Sequence, residues 1–354
     1  MKRPLLTLCL LLMPMLLTAA FAFAQERKVI VAANAAKPVG PYSPGIMIGD
    51  YLYVSGQGVR DANSQMPEGI TAQTRQCLEN VKAIVTAAGL TMEHVVHMQL
   101  YLERLSDLPA VEKVYATYFP KNPPARVILG VAKMPTDTTV EMTVVAVRNL
   151  GEKKPLALKA LRPLGHASSA ITVGNRIYLS GLYATTAVEL LSKLQSVMKE
   201  ARTLTSNVLW RNEYSTTGRV GIPMRELPEQ ATLAMSLIAT RQNLKEGGAC
   251  RVDNKTIYCA AQSYEVEGAV QEQVKAVMGK LQSGLAAYGA NFAHVTASNV
   301  FLDDIGEFKL MNETYASFFS AAPPTRTTVQ PFPKAERGKG ATALVRIALV
   351  AVKD

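Results

Sequence analysis

One passage is written three times in this chain of 354 residues, and the repeat sets the unit in which the fold must be considered. Each copy places an arginine at the start of an apolar strand, at Arg126, Arg219 and Arg326. A proline-containing turn and a second apolar strand follow in each copy, over residues 142–147, 235–239 and 347–352. The sequence therefore predicts a chain of three modules.

The repeat extends beyond that passage. Residues 73–126 match residues 273–326 without a gap at a spacing of 200, and a hairpin ending at Gly56 recurs at Gly181 and at offset 205 in residues 251–262. The middle module is shorter: 39 positions separate Ser180 from Arg219, against 71 between Ser55 and Arg126. We expect it to lack about one helix and one strand.

The N-terminus has the pattern of a secretory signal. Lys2 and Arg3 precede an apolar run over residues 5–23, which ends in an A-x-A site at residues 22–24. A retained membrane anchor is the alternative, because the apolar run is long. Cleavage would give an exported protein, periplasmic or secreted, without stable membrane insertion.

The charge of the mature chain is moderate and dispersed. Residues 25–354 contain 36 basic and 28 acidic side chains, a net charge of +8. No basic run is interleaved with aromatic residues, so nucleic acid is not an expected partner. The densest basic stretch lies among prolines and is interpreted as a linker. The predicted organisation is a signal (1–24), module 1 (25–150), the linker (151–162), a truncated module 2 (163–243) and module 3 (244–354).

Two of the cysteines lie in the hairpin of module 3. A two-residue turn at Asn254 and Lys255 places Cys250 across from Cys259 in a non-hydrogen-bonded pair, where Cα atoms approach to about 4.5 Å. That separation permits a disulfide, which an oxidising compartment would preserve. We predict a Cys250–Cys259 bridge and a free Cys77, with two buried thiols as the alternative.

Hydrophobic periodicity gives module 1 the order ββαβαββ. A hairpin (45–55) leads to a helix (70–88) with one apolar face, then a strand (95–102), a helix (108–118) and two strands (126–132 and 139–148). Such an α+β unit has helices on one face of its sheet, and its other face must be buried elsewhere.

Module 1 resembles the Rid (YjgF) family of reactive-intermediate deaminases over residues 29–148. The resemblance is carried by GPYSPG (40–45), YVSGQ (53–57), NVKAIV (80–85), PPAR (123–126) and VEMTVVAV (140–147). Members of that family have a chorismate mutase-like fold and form homotrimers with ligand clefts between neighbouring units. The resemblance implies that this chain packs its own three sheets into an intramolecular pseudo-trimeric barrel, with the helices outside and a monomeric state.

The chemistry implied by the resemblance is hydrolysis of 2-imino and enamine acids to 2-keto acids and ammonia, without cofactor or metal. An arginine fork suits the substrate carboxylate, which fits Arg126. A carboxylate that takes and returns a proton fits Glu141. By the same resemblance Tyr42, Ser55 and Gly56 would bind the imine and water.

Departures from the family pattern limit the number of complete sites. Ile128 replaces a cysteine and makes the pocket more apolar, and Glu112 stands where asparagine is common. Module 2 has alanine at the tyrosine and glutamate positions (167 and 234), and module 3 has Ala260, Arg346 and Gly247 at or near the serine, glutamate and tyrosine positions. We therefore expect at most one complete site.

Two other functions stay open on the sequence. The retained arginines would suit a protein that binds small carboxylates without turnover. A weaker alternative is the endoribonuclease activity associated with the family, although the sequence has no histidine pair or basic aromatic groove that supports it. The four histidines do not have metal-ligand spacing.

Overall fold

The computed structural model describes residues 26–218, 221–245, 248–264, 268–320, 322–333 and 343–353. The predicted signal, Arg219 and Gly247 lie outside these residues. No helix within the described ranges is both long and apolar enough to cross a bilayer.

Module 1 has the predicted order, with one additional short strand at its start. Its sheet runs β1-β2-β3-β6-β4-β5, and α1 and α2 pack on one face. The elements are β1 (Lys28–Ile30), β2 (Gly45–Ile48), β3 (Tyr51–Gln57), α1 (Ile70–Ala87), β4 (Val95–Leu102), α2 (Leu108–Tyr118), β5 (Ala125–Gly130) and β6 (Val140–Val147).

Apolar side chains at helical spacing explain how α1 lies on the sheet. Leu78, Val81, Ile84 and Val85 are all fully buried in one cluster with strand residues and with α2. Gly89, just beyond α1, has a φ of 78°, and its N–H donates to the carbonyl of Thr86. That left-handed conformation ends the helix, and glycine adopts it without strain.

Module 2 is truncated, but differently from the expectation. It contains β7 (Lys153–Leu156), β8 (Ala170–Val173), β9 (Arg176–Leu179), β10 (Leu182–Ala184), α3 (Ala187–Glu200), β11 (Val208–Ser215), β12 (Ile222–Pro223) and β13 (Leu233–Thr240). In the part of the chain that the structure describes, no second helix lies between β11 and β12, whereas the strand that would follow it remains as two residues parallel to β11. The predicted linker was wrong in part, because residues 153–156 pair with β8 and extend this sheet.

Module 3 repeats module 1 at the spacing of 200. Its elements are β14 (Cys250–Asp253), β15 (Thr256–Ser263), α4 (Val270–Ala286), β16 (Val295–Leu302), α5 (Phe308–Ala316), β17 (Thr325–Val329) and β18 (Val345–Val352). The register opposes Cys250 to Cys259, as the count along the hairpin predicts, and the two form a disulfide with an S–S distance of 2.01 Å. Cys77 is a free, buried thiol.

The uncovered faces of the three sheets bury one another. Val147 of module 1, Tyr178 and Trp210 of module 2, and Tyr258 of module 3 lie in one apolar cluster. The predicted α+β fold with three packed sheets is confirmed, but the sheets do not close into one barrel: in the described residues they stay separate, with six, seven and five strands, and isolated bridges are the only strand pairing between modules. Side-chain packing, rather than a continuous hydrogen-bond ladder, holds the arrangement together.

The seams between modules repeat the same contacts. Ser43 of module 1 donates its N–H to the carbonyl of Pro324 (3.0 Å) and its hydroxyl to Pro323 (2.6 Å) of module 3. Ser168 of module 2 makes the equivalent bonds to Pro124 (3.2 Å) and Pro123 (2.6 Å) of module 1. The modules therefore follow one another around a pseudo-threefold axis. Related clefts lie where module 3 meets module 1 (the 3–1 seam) and where module 1 meets module 2 (the 1–2 seam).

Candidate active site

Glu141 lies near the start of β6, on the sheet face that points toward module 3. Its side chain is buried against the backbone of Gly56, where an added Cβ would lie 1.9 Å from the Glu141 Oε1 atom. A side chain at position 56 would therefore displace the Glu141 carboxyl group. Burial raises the pKa of Glu141 to about 8, and the nearby Arg326 guanidinium opposes that rise. The carboxyl group is consequently protonated at neutral pH.

Arg326 of β17 supplies the cation of this site. Its guanidinium carbon lies 5.4 Å from the Tyr42 ring, 5.4 Å from Phe308 and 5.0 Å from Tyr315. Arg326 is 3% exposed, and within the described residues neither of its terminal nitrogens has a hydrogen-bond partner. Buried polar groups normally find partners, so these donors favour an anionic ligand in the cleft.

A cleft of about 80 Å³ at the 3–1 seam joins these groups. Tyr42, Gly56 and Glu141 line it from module 1, and Phe308, Arg326 and Thr328 line it from module 3. The Tyr42 hydroxyl accepts a hydrogen bond from the N–H of Val39 (3.1 Å), which leaves its own proton available to a ligand. The cleft thus combines a carboxylate-binding cation with a neutral carboxyl group and a phenol.

The predicted pairing of Arg126 with Glu141 in one site was wrong. On β4, Met98 lies beside Arg126 and packs against the helices, whereas Tyr101 lies beside Glu141 and packs between the modules. Because successive strand residues point to opposite faces, Arg126 and Glu141 lie on opposite faces of the same sheet. The arginine of one module therefore meets the acid of the next.

The other predicted residues divide between the seams. Tyr42 and Gly56 line the cleft with Glu141, whereas Ile128 is buried at the 1–2 seam, where its N–H donates to the Tyr183 hydroxyl (2.7 Å). Ser55 is buried beside the cleft: its hydroxyl donates to the carbonyl of Pro44 (3.1 Å) and accepts from Gln57. Ser55 does not line the cleft.

At the 1–2 seam the arginine already makes an ion pair through one terminal nitrogen, Nη2. The Arg126 guanidinium donates to the Glu112 carboxylate and to the carbonyl of Leu164 (3.0 Å), over the ring of Tyr115. Glu112 also accepts a hydrogen bond from the N–H of His166 (2.9 Å). A side chain of the same module therefore occupies the position that a ligand carboxylate would take.

The 2–3 seam has a different character. A groove of about 600 Å³ is lined there by Arg211, Arg251, Ala260 and Arg346. Arg346 and Ala260 stand where module 1 has Glu141 and Ser55. Arg219 lies outside the described residues.

The histidines have structural contacts. His94 and His294 each accept, at Nδ1, the N–H of the residue three positions earlier. His97 stacks on Tyr178, and burial lowers its pKa to about 4. No cluster of three or more potential metal ligands lies within the described ranges.

A protein-family model described as Endoribonuclease L-PSP matches residues 32–148 and 251–352, which together make up more than half of the chain. The chain belongs to this family. The predicted membership of the Rid (YjgF) group is thereby confirmed, and the two matched ranges fall in modules 1 and 3.

Individual relatives of the family correspond to one module. A RutC family protein of Saccharolobus solfataricus is 40% identical over 125 residues, which are 35% of this chain and 99% of the relative. The 2-iminobutanoate/2-iminopropanoate deaminase of Escherichia coli K12 is 37% identical over 34% of this chain and 98% of the relative. The crystal structure of E. coli TdcF with bound serine covers 34% of this chain and 99% of its own at 33% identity, with a TM-score of 0.34.

Sequence reasoning missed the half of the site that module 3 supplies. The signal was present in the gapless spacing of 200, which makes Arg326, Thr328 and Asn312 the equivalents of Arg126, Ile128 and Glu112. Asn312 restores the asparagine that Glu112 replaces in module 1. The resemblance implied clefts between units, but it did not show that the arginine beside Glu141 comes from module 3.

Proposed function

We propose that this protein hydrolyses 2-imino and enamine acids to 2-keto acids and ammonia in the cleft at the 3–1 seam. The observation that carries the proposal is the buried Arg326 guanidinium, with two unpartnered terminal nitrogens, in the same cleft as the buried Glu141 carboxyl group. The similarity to a 2-iminobutanoate/2-iminopropanoate deaminase supports the reaction class.

Arg326 would hold the substrate carboxylate. A guanidinium donates two parallel hydrogen bonds to a carboxylate, and it stays charged even when burial lowers its pKa. Tyr42, Phe308 and Tyr315 surround it, so the bound carboxylate would be shielded from water on several sides. This contact would fix the imine carbon near Glu141.

Glu141 would move the protons. In its neutral form it donates a proton to the imine nitrogen, and the resulting carboxylate takes a proton from the attacking water. The water oxygen forms the new bond to carbon. The C–N bond then breaks as Glu141 donates a second proton to nitrogen and takes the proton of the new hydroxyl group, which releases ammonia and leaves the 2-keto acid. Because hydrolysis involves no net oxidation, the proposal needs no redox cofactor.

The remaining groups would orient the reactants. The Tyr42 hydroxyl is assigned to the imine nitrogen or the water, since its proton is not used by Val39. Gly56 lies in a bulge of β3, between Val54 and Gln57, where the ladder to β6 shifts register. Its amide is assigned as a donor to the ligand.

A coupled assay tests the proposal. An amino-acid oxidase generates the imine of alanine, and keto-acid release is timed with wild type, Arg326→Ala, Glu141→Gln and the double variant Glu112→Gln/Arg126→Gln. The loss of charge-assisted hydrogen bonds is expected to lower kcat/KM of Arg326→Ala by about 10- to 150-fold. The double variant removes the other ion pair as a unit and should retain wild-type rates.

The same assay separates the alternatives. If wild type, Arg326→Ala and Glu141→Gln all release keto acid at the spontaneous rate, the imine hydrolysis is refuted and binding of small carboxylates is the function to pursue. The groove at the 2–3 seam, lined by three arginines and by Glu213, which pairs with Arg211, supports such binding independently of turnover. RNA incubated with the same preparations tests the activity that the family description names.

Export from the cytoplasm is also proposed. The basic and apolar N-terminal pattern supports it, and the Cys250–Cys259 pair is of the kind that persists in oxidising compartments. Immunoblotting of periplasmic, secreted and cytoplasmic fractions should find the protein outside the cytoplasm. A full-length cytoplasmic protein with two reduced thiols would contradict this proposal.

A further inference from the structure

The mouth of the 3–1 cleft carries positive charge beyond that of Arg326. Lys37 and Arg60, both of module 1, line the cleft together with Ser64 and Thr136. Lys37 is exposed and Arg60 is half-buried, so both are accessible to a ligand that extends outward from the buried arginine. These cations are not needed to hold a single carboxylate.

Arg60 is held in place at this mouth. Its guanidinium donates to the carbonyls of Ser64 (2.9 Å) and Thr136 (3.1 Å). Its own carbonyl accepts a hydrogen bond from the buried Asn80 side chain (2.7 Å). An arginine that is already ordered loses less conformational entropy when it binds an anion, so the position is prepared for one.

The acidic groups of the cleft do not cancel this charge. Asp61 accepts the N–H groups of Asn63 (2.9 Å) and Gln65 (2.8 Å) at one oxygen, which directs its carboxylate toward its own loop. Glu141 is neutral below about pH 8 because burial raises its pKa. Lys37, Arg60 and Arg326 thus line the cleft with only one ionised carboxylate, that of Asp61, at neutral pH. This excess of positive charge favours a ligand with two negative charges.

We propose that the cleft selects dicarboxylic ligands, the imines and keto acids that correspond to acidic amino acids, with the distal carboxylate bound by Arg60 and assisted by Lys37. This inference rests on the proposed function in one point: the first carboxylate of the ligand binds Arg326. The contact between Arg60 and the distal carboxylate distinguishes this cleft from a site for small monocarboxylic imines.

Binding of products tests the selectivity without requiring turnover. Calorimetry on the full chain compares 2-oxoglutarate with pyruvate in wild type, Arg60→Gln and Arg104→Gln. The control Arg104 is an exposed arginine paired with Asp107 in module 1, and it does not line the cleft. We expect 2-oxoglutarate to bind more tightly, and Arg60→Gln to reduce the affinity ratio about three- to fivefold, as for a partly exposed ion pair.

Turnover of the imines of glutamate and alanine gives the second measurement. A higher kcat/KM for the glutamate imine that Arg60→Gln reduces and Arg104→Gln leaves unchanged supports the inference. Equal binding of the two keto acids, or a preference that Arg60→Gln leaves unaltered, overturns it. If neither imine is turned over but 2-oxoglutarate still binds more tightly through Arg60, the proposed reaction fails while the ligand selectivity stands.

Discussion

Arg126 and Arg326 are the same residue of a repeated motif, and one neighbouring side chain separates their roles. Glu112 bonds to Arg126, whereas its equivalent Asn312 lies beside Arg326 without neutralising it. Asparagine cannot form an ion pair, so the Arg326 guanidinium keeps its charge and its donors for a ligand. This acid-to-amide difference is one of several between the two seams, because module 2 also has Ala167 and Ala234 at the positions of Tyr42 and Glu141.

The ion pair at the closed seam should contribute to stability rather than activity. Arg126→Ala leaves the Glu112 carboxylate without its cation while one-fifth of that side chain is exposed. We expect a loss of about 2–4 kcal/mol in the free energy of unfolding, slightly below the range for a fully buried pair. Urea denaturation measures it, and adding Glu112→Gln should recover much of the loss. Full stability of Arg126→Ala would show that the pair is not structural.

The pKa of Glu141 predicts a pH dependence of both activity and stability. The neutral acid persists up to about pH 8, so kcat should be constant below that pH and decline above it. The folded pKa is raised, so the stability contribution is complete below the unfolded value near 4.5 and is lost as pH rises through about 8.

Wild type should therefore lose on the order of 4 kcal/mol of unfolding free energy across that interval relative to Glu141→Gln, which has no titrating group there. Paired urea titrations at pH 5 and pH 9 measure the difference. Parallel pH profiles of stability in the two proteins would mean that Glu141 titrates normally.

At the scale of elements, the missing helix of module 2 changes what its remaining helix must bury. Leu191 of α3 corresponds to Leu78 of α1, because the two lie equally far before the strand that follows. That strand begins at Val208 in module 2 and at Val95 in module 1. Leu78 is fully buried in the cluster that contains α2 residues, whereas Leu191 is 53% exposed. The same position is therefore core in one module and surface in the other.

Alanine at these two positions should have unequal effects. Leu78→Ala is expected to cost about 2–5 kcal/mol, through lost apolar burial and the cavity left behind, whereas Leu191→Ala should lie within about 0.5 kcal/mol of wild type. Thermal or urea denaturation compares them directly. Similar losses for the two variants would require that a partner covers α3 in solution.

Elements were predictable from sequence to within a few residues, because their signals are local. The Leu108–Tyr118 helix and the Val95–Leu102 strand have the predicted bounds, since apolar periodicity and flanking prolines define them. The pairing within the site was not predictable in the same way. It depends on which sheet face Arg126 takes and which module approaches Glu141, and both are properties of tertiary packing.

For the whole molecule, three modules in one chain remove the equivalence that a trimer of identical subunits would impose. Each seam has its own residues: Arg326 with Glu141, Arg126 with Glu112, and the arginine-lined groove. The 3–1 site is assembled from residues as far apart in the sequence as Tyr42 and Arg326, so it exists only when the first and third modules are in contact. The cleft that contains Glu141 therefore takes its arginine from module 3 rather than from module 1.

The chain should be a monomer in solution, because its own modules already cover the sheet faces that separate subunits would otherwise bury. Asn299 of module 3 donates to Gln99 of module 1 (2.6 Å), and Arg176 of module 2 donates to Asp253 of module 3 (2.9 Å), so the inner faces are joined within one polypeptide. Light scattering after size-exclusion chromatography should give the mass of one chain at all concentrations tested. A mass of three chains would mean that module 1 assembles with its own copies. In that case Arg126 would face a second Glu141, and the assignment of Arg326 to the site would be withdrawn.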